Sequence, residues 1–469
     1  ADRTAFWRYN ALDTLTVAAA MPALKASLEQ FGLTDTYNTT VALIPVLILI
    51  QSRGIAMDTA GMKAAYNEAQ LRIAEMQKEL NEKCGQELNV SSPKQVQTYF
   101  YITKKIKPHM KNGRPTVDEV ALIKIAAKGH DEARMILDIR GERKLCGTYL
   151  DMNLDSDGRM RCSYNPIGAS TGRLSSSKTI FGTGGNLQNQ PPIMRNFMLI
   201  DEGYVGYAPD VAGAENKIVA NIGPVPLMRQ AFDEGKDVHR LTASLLSRYI
   251  CDRFIPPDEV TDKPGQTQIA GGRFSLRHWG KRMNHSANYG IGPNQLADKL
   301  EIPPATAKIL LEAYHNGYPE VRHGYQAQII EMLRKNRRVF NPFGRSRIFL
   351  GRWDNMLFQD AFAFLPQSTV ADLINRRGML LLKDFHDVEI LNQVHDAIYF
   401  QIPLSCPWSY HAEVLNALNE SMTLPIPWKQ SSFVLYCDFV MQKRNMGEKN
   451  HVHVPATADA LASLYSSIA

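Results

Sequence analysis

The stretch EILNQVHDAIYFQI, Glu389 to Ile402, reads as two apolar strands, Glu389 to Val394 and Ala397 to Ile402, with only His395 and Asp396 between them. Two residues is the length of a tight hairpin loop. An aspartate at such a tip is informative because an unpaired carboxylate is costly to bury and calls for solvent, a partner or a cation. Taken alone, Asp396 reads more simply as a turn residue. A second stretch, Tyr204 to Ala208, is also strand-like and ends at Pro209-Asp210, followed by a helix that carries Ile218, Val219 and Ile222. Asp210 alone reads as the cap of that helix. If the two strand ends lie side by side, their carboxylates suit a pair of Mg²⁺ ions, which prefer oxygen ligands and take one or two protein carboxylates plus substrate phosphates.

The segment RHWGKRMNHSANY, Arg277 to Tyr289, places Arg277, Lys281, His285 and Tyr289 four apart. On a helix such residues drift by about 40° per step and share one face, while Trp279, Met283 and Ala287 fall on the opposite side. Two cations near a helix N-terminus favour a polyanion such as a triphosphate, and an aromatic further along can stack on a base. A solvated basic face is the plainer reading. Gly290 and Gly292 mark a helix stop that argues for a deliberate edge.

Further out, residues 1–35 read as a helix with Leu12, Leu15, Val17, Met21 and Leu24 spaced for one buried side, and residues 60–85 as a long amphipathic helix. Lys104, Lys105, Lys107, Lys111 and Arg114, broken by Pro108 and Gly113, read as a basic loop tip. Pro166 to Pro192 is rich in Gly, Ser, Thr and Asn, a loop composition. The chain has 469 residues, 44% hydrophobic and 21% charged, enough for two to four domains or subdomains. Its net charge of +6 is compatible with nucleic acid without requiring it. Six cysteines with no CxxC pair suit neither zinc nor a disulfide framework, so a reducing compartment is expected. The most apolar run, Val41 to Ile50, contains Pro45 and is too short to span a bilayer, so no membrane is expected.

These residues together resemble family A DNA polymerases, the bacterial polymerase I type. Arg277, Lys281 and Tyr289-Gly290 resemble its motif B, DVAGAENK at Asp210 to Lys217 its motif A, and QVHD at Gln393 to Asp396 its motif C. TGRLSSS (171–177) and NLQNQP (186–191) are similar to the primer-template-contacting region. Asp237-Val-His239, Leu365-Pro-Gln367 with Ala371-Asp372, Gly54 to Asp58 and Tyr9-x3-Asp13 also find counterparts, and the order holds over nearly the whole chain. The resemblance implies an α+β right-hand fold: an antiparallel palm sheet, a helical thumb and helical fingers. It divides the chain into an exonuclease-like tail (1–35), a lead-in to the palm (36–59), thumb (60–155), palm with motif A (156–224), fingers with motif B (225–350) and palm with motif C (351–469). With one exonuclease motif the chain is not expected to proofread alone.

The implied activity is DNA-directed addition of dNTPs to a primer 3′-OH in replication, with two Mg²⁺ ions for which Mn²⁺ can substitute. Asp210, Asp396 and the Val211 carbonyl are the implied metal ligands. Arg277, Lys281 and His239 would meet the triphosphate, with Lys281 also counted as catalytic. Glu215 would exclude a 2′-OH; His285 and Tyr289 would line the nucleotide and template-base pocket. Arg173, Asn186, Gln188, Gln367 and His395 would contact primer-template DNA. Departures are clear: His285 stands for the usual Phe or Tyr, Gly213 for Gln, Ala397 for Glu, Lys217 for Arg and Gln359 for Arg. About six extra residues separate Arg173 from Asn186. These point to a divergent, phage-type member acting in the cytoplasm, that of a host if phage-encoded, with no processivity factor identifiable. The competing expectations are a single-subunit phage-type RNA polymerase, which Glu215 and the TGRLSSS region argue against, and an inactive DNA-binding module.

Overall fold

Five antiparallel strands form the sheet that carries both aspartates: β1 (Tyr204–Asp210), β2 (Glu389–Val394), β3 (Ala397–Pro403), β4 (Asp438–Gln442) and β5 (Asn450–Val452), in the spatial order β2-β3-β1-β4-β5. The computed structural model describes residues 3–211, 213–267, 272 and 274–468. Ala212, inside the DVAGAENK segment, lies outside them, as do residues 1 and 2 of the expected N-terminal helix. β2 and β3 form the expected two-residue hairpin, with Val394 opposite Ala397 and His395 at φ +53. Reversing the chain in two residues needs such left-handed backbone.

The helices that matter for the site are α1 (Arg3–Gln30), α2 (Thr34–Arg53), α3 (Thr59–Cys84), α4 (Ala214–Ile222), α5 (Val238–Ile250), α6 (Leu276–Asn288) and α7 (Asn355–Leu373). α4 leaves β1 and packs on α7, joining sheet and helices in one large apolar core through Tyr207, Ile218, Phe364 and Phe400. α3 is the expected amphipathic helix, with Met62, Ala69, Ile73 and Leu80 buried. Ala69, Ile73 and Leu80 join a separate smaller core with Leu122, Ile125, Ile136 and Ile139 from the helices Glu119–Ala126 and Asp131–Lys144.

α1 departs from expectation. It is helical, but none of its residues is buried, and Leu12, Leu15, Val17 and Leu24 are all exposed. Periodicity made one side able to bury; within the described residues α1 touches little but α2, so nothing covers it. The basic segment is a short hairpin, Met110–Lys111 with Arg114–Pro115, and Lys111 pairs with Asp118 at 2.9 Å. All six cysteines are free thiols. Among the described residues no helix is long and apolar enough to cross a membrane.

Candidate active site

Asp210 ends the central strand, and the hairpin tip is bound to it from the side. Ala397 is its partner in the β3–β1 register, and the Val211 amide donates to the Asp396 carbonyl at 3.1 Å. Asp210 does not cap α4; Gly213, at φ +63, occupies that position. On the other flank, β4 opens with Asp438 directly opposite Asp210. Register partners project to the same face of a sheet. Asp438, Asp210 and Ala397 are therefore aligned, with Asp396 at the turn beside them. Asp438 is absent from the residues that sequence reasoning singles out. Its only local signal is an acid at the start of an apolar strand, and its neighbour Asp210 is far away in the chain.

The carboxylates are held in an unfavourable state. Burial, then the charges of Asp396 and Asp438, raise the Asp210 pKa to about 6, against the pull of Arg195 and Lys281. Burial also raises the Asp396 carboxyl, and Glu215 adds to it. A cluster of hard oxygen donors whose charges still raise the Asp210 pKa, despite nearby cations, fits a divalent cation. No three His, Cys, Asp or Glu side chains close a metal cage among the described residues. Two carboxylates suffice for an ion such as Mg²⁺ that completes its shell with phosphate oxygens and water. The Val211 carbonyl accepts from the Ala214 amide at 3.2 Å and keeps a second lone pair.

A pH dependence follows. Metal binding requires ionised carboxylates, and the proton on Asp210 competes below pH ~6. Titration calorimetry with Mg²⁺ should show affinity falling about tenfold per pH unit below that point, with proton release on binding between pH 5 and 7. Affinity independent of pH across this window would exclude Asp210 as a ligand. For folding the sign is opposite to that of a salt-bridged acid. The folded chain binds this proton more tightly than the unfolded chain, so Asp210 costs stability as pH rises from the usual carboxylate range to ~6.

The opposite wall is α6. Ser275 caps it, accepting from the His278 amide at 3.1 Å. Leu276, Trp279, Met283 and Ala287 bury one side, and Gly290 at φ +70 follows the last turn. α6 lies so close to α5 that a Cβ on Gly280 would sit 2.0 Å from the His239 carbonyl oxygen, so only glycine fits there. The contact brings His239 beside the polar face. The Asn284 side-chain amide lies 3.0 Å from His239 Nδ1; with Asn284 donating, the ring proton sits on Nε2. Burial lowers the His239 pKa to about 4, so the ring is neutral. Arg277 pairs with Asp237 at 2.5 Å and Asp262 at 3.5 Å, whereas no ion pair engages Lys281 among the described residues. Asp210, Asp396, Asp438, His239, Arg277, Lys281 and Lys217 line one cavity of about 690 Å³.

Glu215 organises the edge of the cavity. It pairs with Arg173 and accepts from the Tyr289 hydroxyl, and His285 Nδ1 lies 3.8 Å away. Burial lowers the His285 pKa, Glu215 opposing. The remaining candidates are placed differently. Gln188 is buried, its amide donating to the Gln393 side chain at 3.1 Å; Gln393 in turn holds the His395 carbonyl at 2.9 Å. Asn186 accepts from the Gln188 and Asn189 amides and the Ser176 hydroxyl, which occupies its side chain in shaping the loop. His395 has a buried Nδ1 without a partner among the described residues. Gln367 is half-buried on α7.

The POL domain of Pol1 from M. smegmatis, solved in complex with DNA primer-template and dNTP, shares this fold at a TM-score of 0.76. The match covers 91% of this chain and 73% of that one at 24% identity. The architecture is therefore that of a right-hand polymerase. The model of DNA polymerase family A matches residues 59–434, and the chain belongs to that family, whose members use divalent metal ions. DNA polymerase I of Deinococcus radiodurans is 28% identical over 405 residues, 81% of this chain and 39% of that protein. The thermostable DNA polymerase I of Thermus aquaticus is 26% identical over 383 residues, 77% and 43%. The chain thus spans about two fifths of the length of these curated relatives.

Proposed function

We propose that this chain adds deoxynucleotides to a primer 3′-OH on a DNA template in replication, and that it acts in the cytoplasm. The observation that carries the reading is one cavity with the carboxylates of Asp210, Asp396 and Asp438 on one wall and the cationic face of α6 on the other. Its volume of about 690 Å³ suits a nucleoside triphosphate. Asp210 and Asp396 would hold two Mg²⁺ ions, with Mn²⁺ able to substitute and the Val211 carbonyl as a further ligand. When bound, the ions activate the 3′-OH and neutralise charge on the reacting phosphate and leaving group.

The chain's own side chains do the rest. Lys281, in no ion pair among the described residues, neutralises the triphosphate, and Arg277 joins it from its pairing with Asp237. Neutral His239 donates from Nε2 to a phosphate oxygen. Glu215, fixed by Arg173 and Tyr289, presents a carboxylate edge that disfavours a ribose 2′-OH. His285 and Tyr289 border the base, and Arg173, Gln367 and His395 face the primer-template end. Asn186 and Gln188 would serve DNA by shaping that surface. The separate small core around α3 supports a thumb at 60–155, with fingers at 225–350 and palm on either side.

The deciding experiment is primer extension with dNTPs against NTPs, with and without Mg²⁺. Preference for NTPs would favour an RNA polymerase; no incorporation would favour a binding module. Lys281→Ala should raise the KM for dNTP and lower kcat/KM by about 10- to 150-fold, the range expected for a charge-assisted contact of ~1.5–3 kcal/mol. Single-turnover kinetics unchanged by that variant would remove Lys281 from the triphosphate site.

A further inference from the structure

The chain between Ser177 and Asn186 forms a projecting loop with a built neck, root and tip. The neck is closed by the Ser176 hydroxyl donating to Asn186 Oδ1 at 2.8 Å. At the root, the Gly184 amide donates to the Asn153 carbonyl at 2.7 Å and the Gly185 amide to the Arg161 carbonyl at 3.3 Å. Gly184 has φ +65, and a Cβ there would lie 1.8 Å from the Arg161 carbonyl oxygen, so the root approaches as closely as a backbone can. The tip is a tight turn: the Gly182 amide donates to the Thr179 carbonyl at 3.0 Å, and the Thr179 and Thr183 hydroxyls are 2.7 Å apart.

Ile180 and Phe181 occupy the centre of that turn at 90% and 84% exposure, the highest and third-highest values for large apolar side chains among the described residues. Turn centres ordinarily take Pro, Asn, Asp, Ser or Gly, whose backbones and polar groups suit the bend and the solvent. An Ile-Phe pair on a fastened stalk has another use. The segments on either side reach the active site: Arg173 bonds Glu215, and Gln188 bonds Gln393, three residues before Asp396. Exposed Lys178 stands next to the tip.

We propose that Ile180 and Phe181 are an apolar wedge that presses into the minor groove of the primer-template duplex beside the cleft; this rests on the polymerase reading. The occupant follows from position and size. The loop is continuous with the two segments that border the primer end. Two side chains are far too small an area for a stable protein partner, which needs roughly 800 Å² per side. One or two apolar side chains suffice to wedge a base step in the minor groove, with neighbouring cations on the phosphates.

The test is fluorescence anisotropy of the full chain with a labelled primer-template, comparing wild type with Ile180→Ser/Phe181→Ser and with Lys178→Ala. The double variant should bind duplex about tenfold more weakly with the same dependence of log Kd on log salt, since no phosphate contact is removed. Lys178→Ala should instead reduce that slope by about one. A 2-aminopurine placed along the duplex should lose its binding-induced brightening with the double variant. The tryptophan introduced by Phe181→Trp should change its emission when duplex is added. Unchanged affinity and 2-aminopurine signal in the double variant, or a Phe181→Trp emission that does not respond to duplex, overturn the wedge. If wild type neither binds duplex nor extends a primer, the polymerase reading itself has failed; if wild type extends normally and the double variant binds equally, only the wedge has.

Discussion

Primer extension by Asp210→Ala or Asp396→Ala falls by about three to four orders of magnitude. Each change removes one of the two carboxylates proposed to hold the metal ions, and metal stabilisation of developing charge is worth several kcal/mol. At ~1.4 kcal/mol per tenfold, about 5 kcal/mol gives that loss. The fold should not suffer. Asp210 is raised to about 6 by burial and by Asp396 and Asp438, so at neutral pH and above it is held ionised against its surroundings. Asp210→Asn should therefore leave the thermal midpoint of the metal-free chain unchanged or higher while abolishing incorporation. Loss of activity with gain of stability marks a functional group rather than a structural one. Extension within tenfold of wild type for either alanine variant would remove that residue from the metal site.

The second large effect lies behind the site. Asp372 is wholly buried and accepts from Arg345 Nε at 3.0 Å and Nη2 at 2.9 Å, and from the Asn341 amide at 2.7 Å. Asp372→Ala leaves the largely enclosed Arg345 guanidinium unpaired, and breaking a buried pair from one side costs about 3–5 kcal/mol. That is a large part of the ~5–15 kcal/mol by which a domain is stable. The damage should also reach the active site. The Arg345 guanidinium lies against Gly172, where a Cβ would be 2.4 Å from Cζ. Gly172 is also held by the Asn375 amide at 3.2 Å, and the next residue is Arg173. Denaturant titration should show the stability loss, with Asp372→Asn losing less because it keeps an acceptor. A loss under ~1 kcal/mol for the alanine variant would mean that Arg345 finds solvent or another partner.

Some of this is readable along the chain. The β2–β3 hairpin is legible because both strands and the loop are contiguous and their pattern and length allow one arrangement. The polar face of α6 is legible because a 3.6-residue period assigns Arg277, Lys281 and His285 to one side and Trp279, Met283 and Ala287 to the other, and Gly290 marks its end. α3 is legible for the same reason. In α1 the same reasoning fails, because periodicity states which side is able to bury, and burial itself needs a neighbour. Asn186 and Gln188 are legible as polar loop residues, but their engagement with Ser176 and Gln393 depends on how distant segments meet.

What could be read along the chain was local: β1 and the β2–β3 hairpin as strands, α3 and α6 as helices, the carboxylates and cations that those pieces carry, and the family that their motifs resemble in order; β4 and β5, which bring Asp438 to the site, were not among them. Tertiary structure alone decided who faces whom: Asp438 across from Asp210, Glu215 between Arg173 and Tyr289, Arg345 against Gly172, and Ile180-Phe181 on a fastened stalk. The reason is physical. Local conformation follows from backbone sterics and side-chain period over a few residues, whereas charge, burial and pairing are set by atoms brought together from distant positions in the chain.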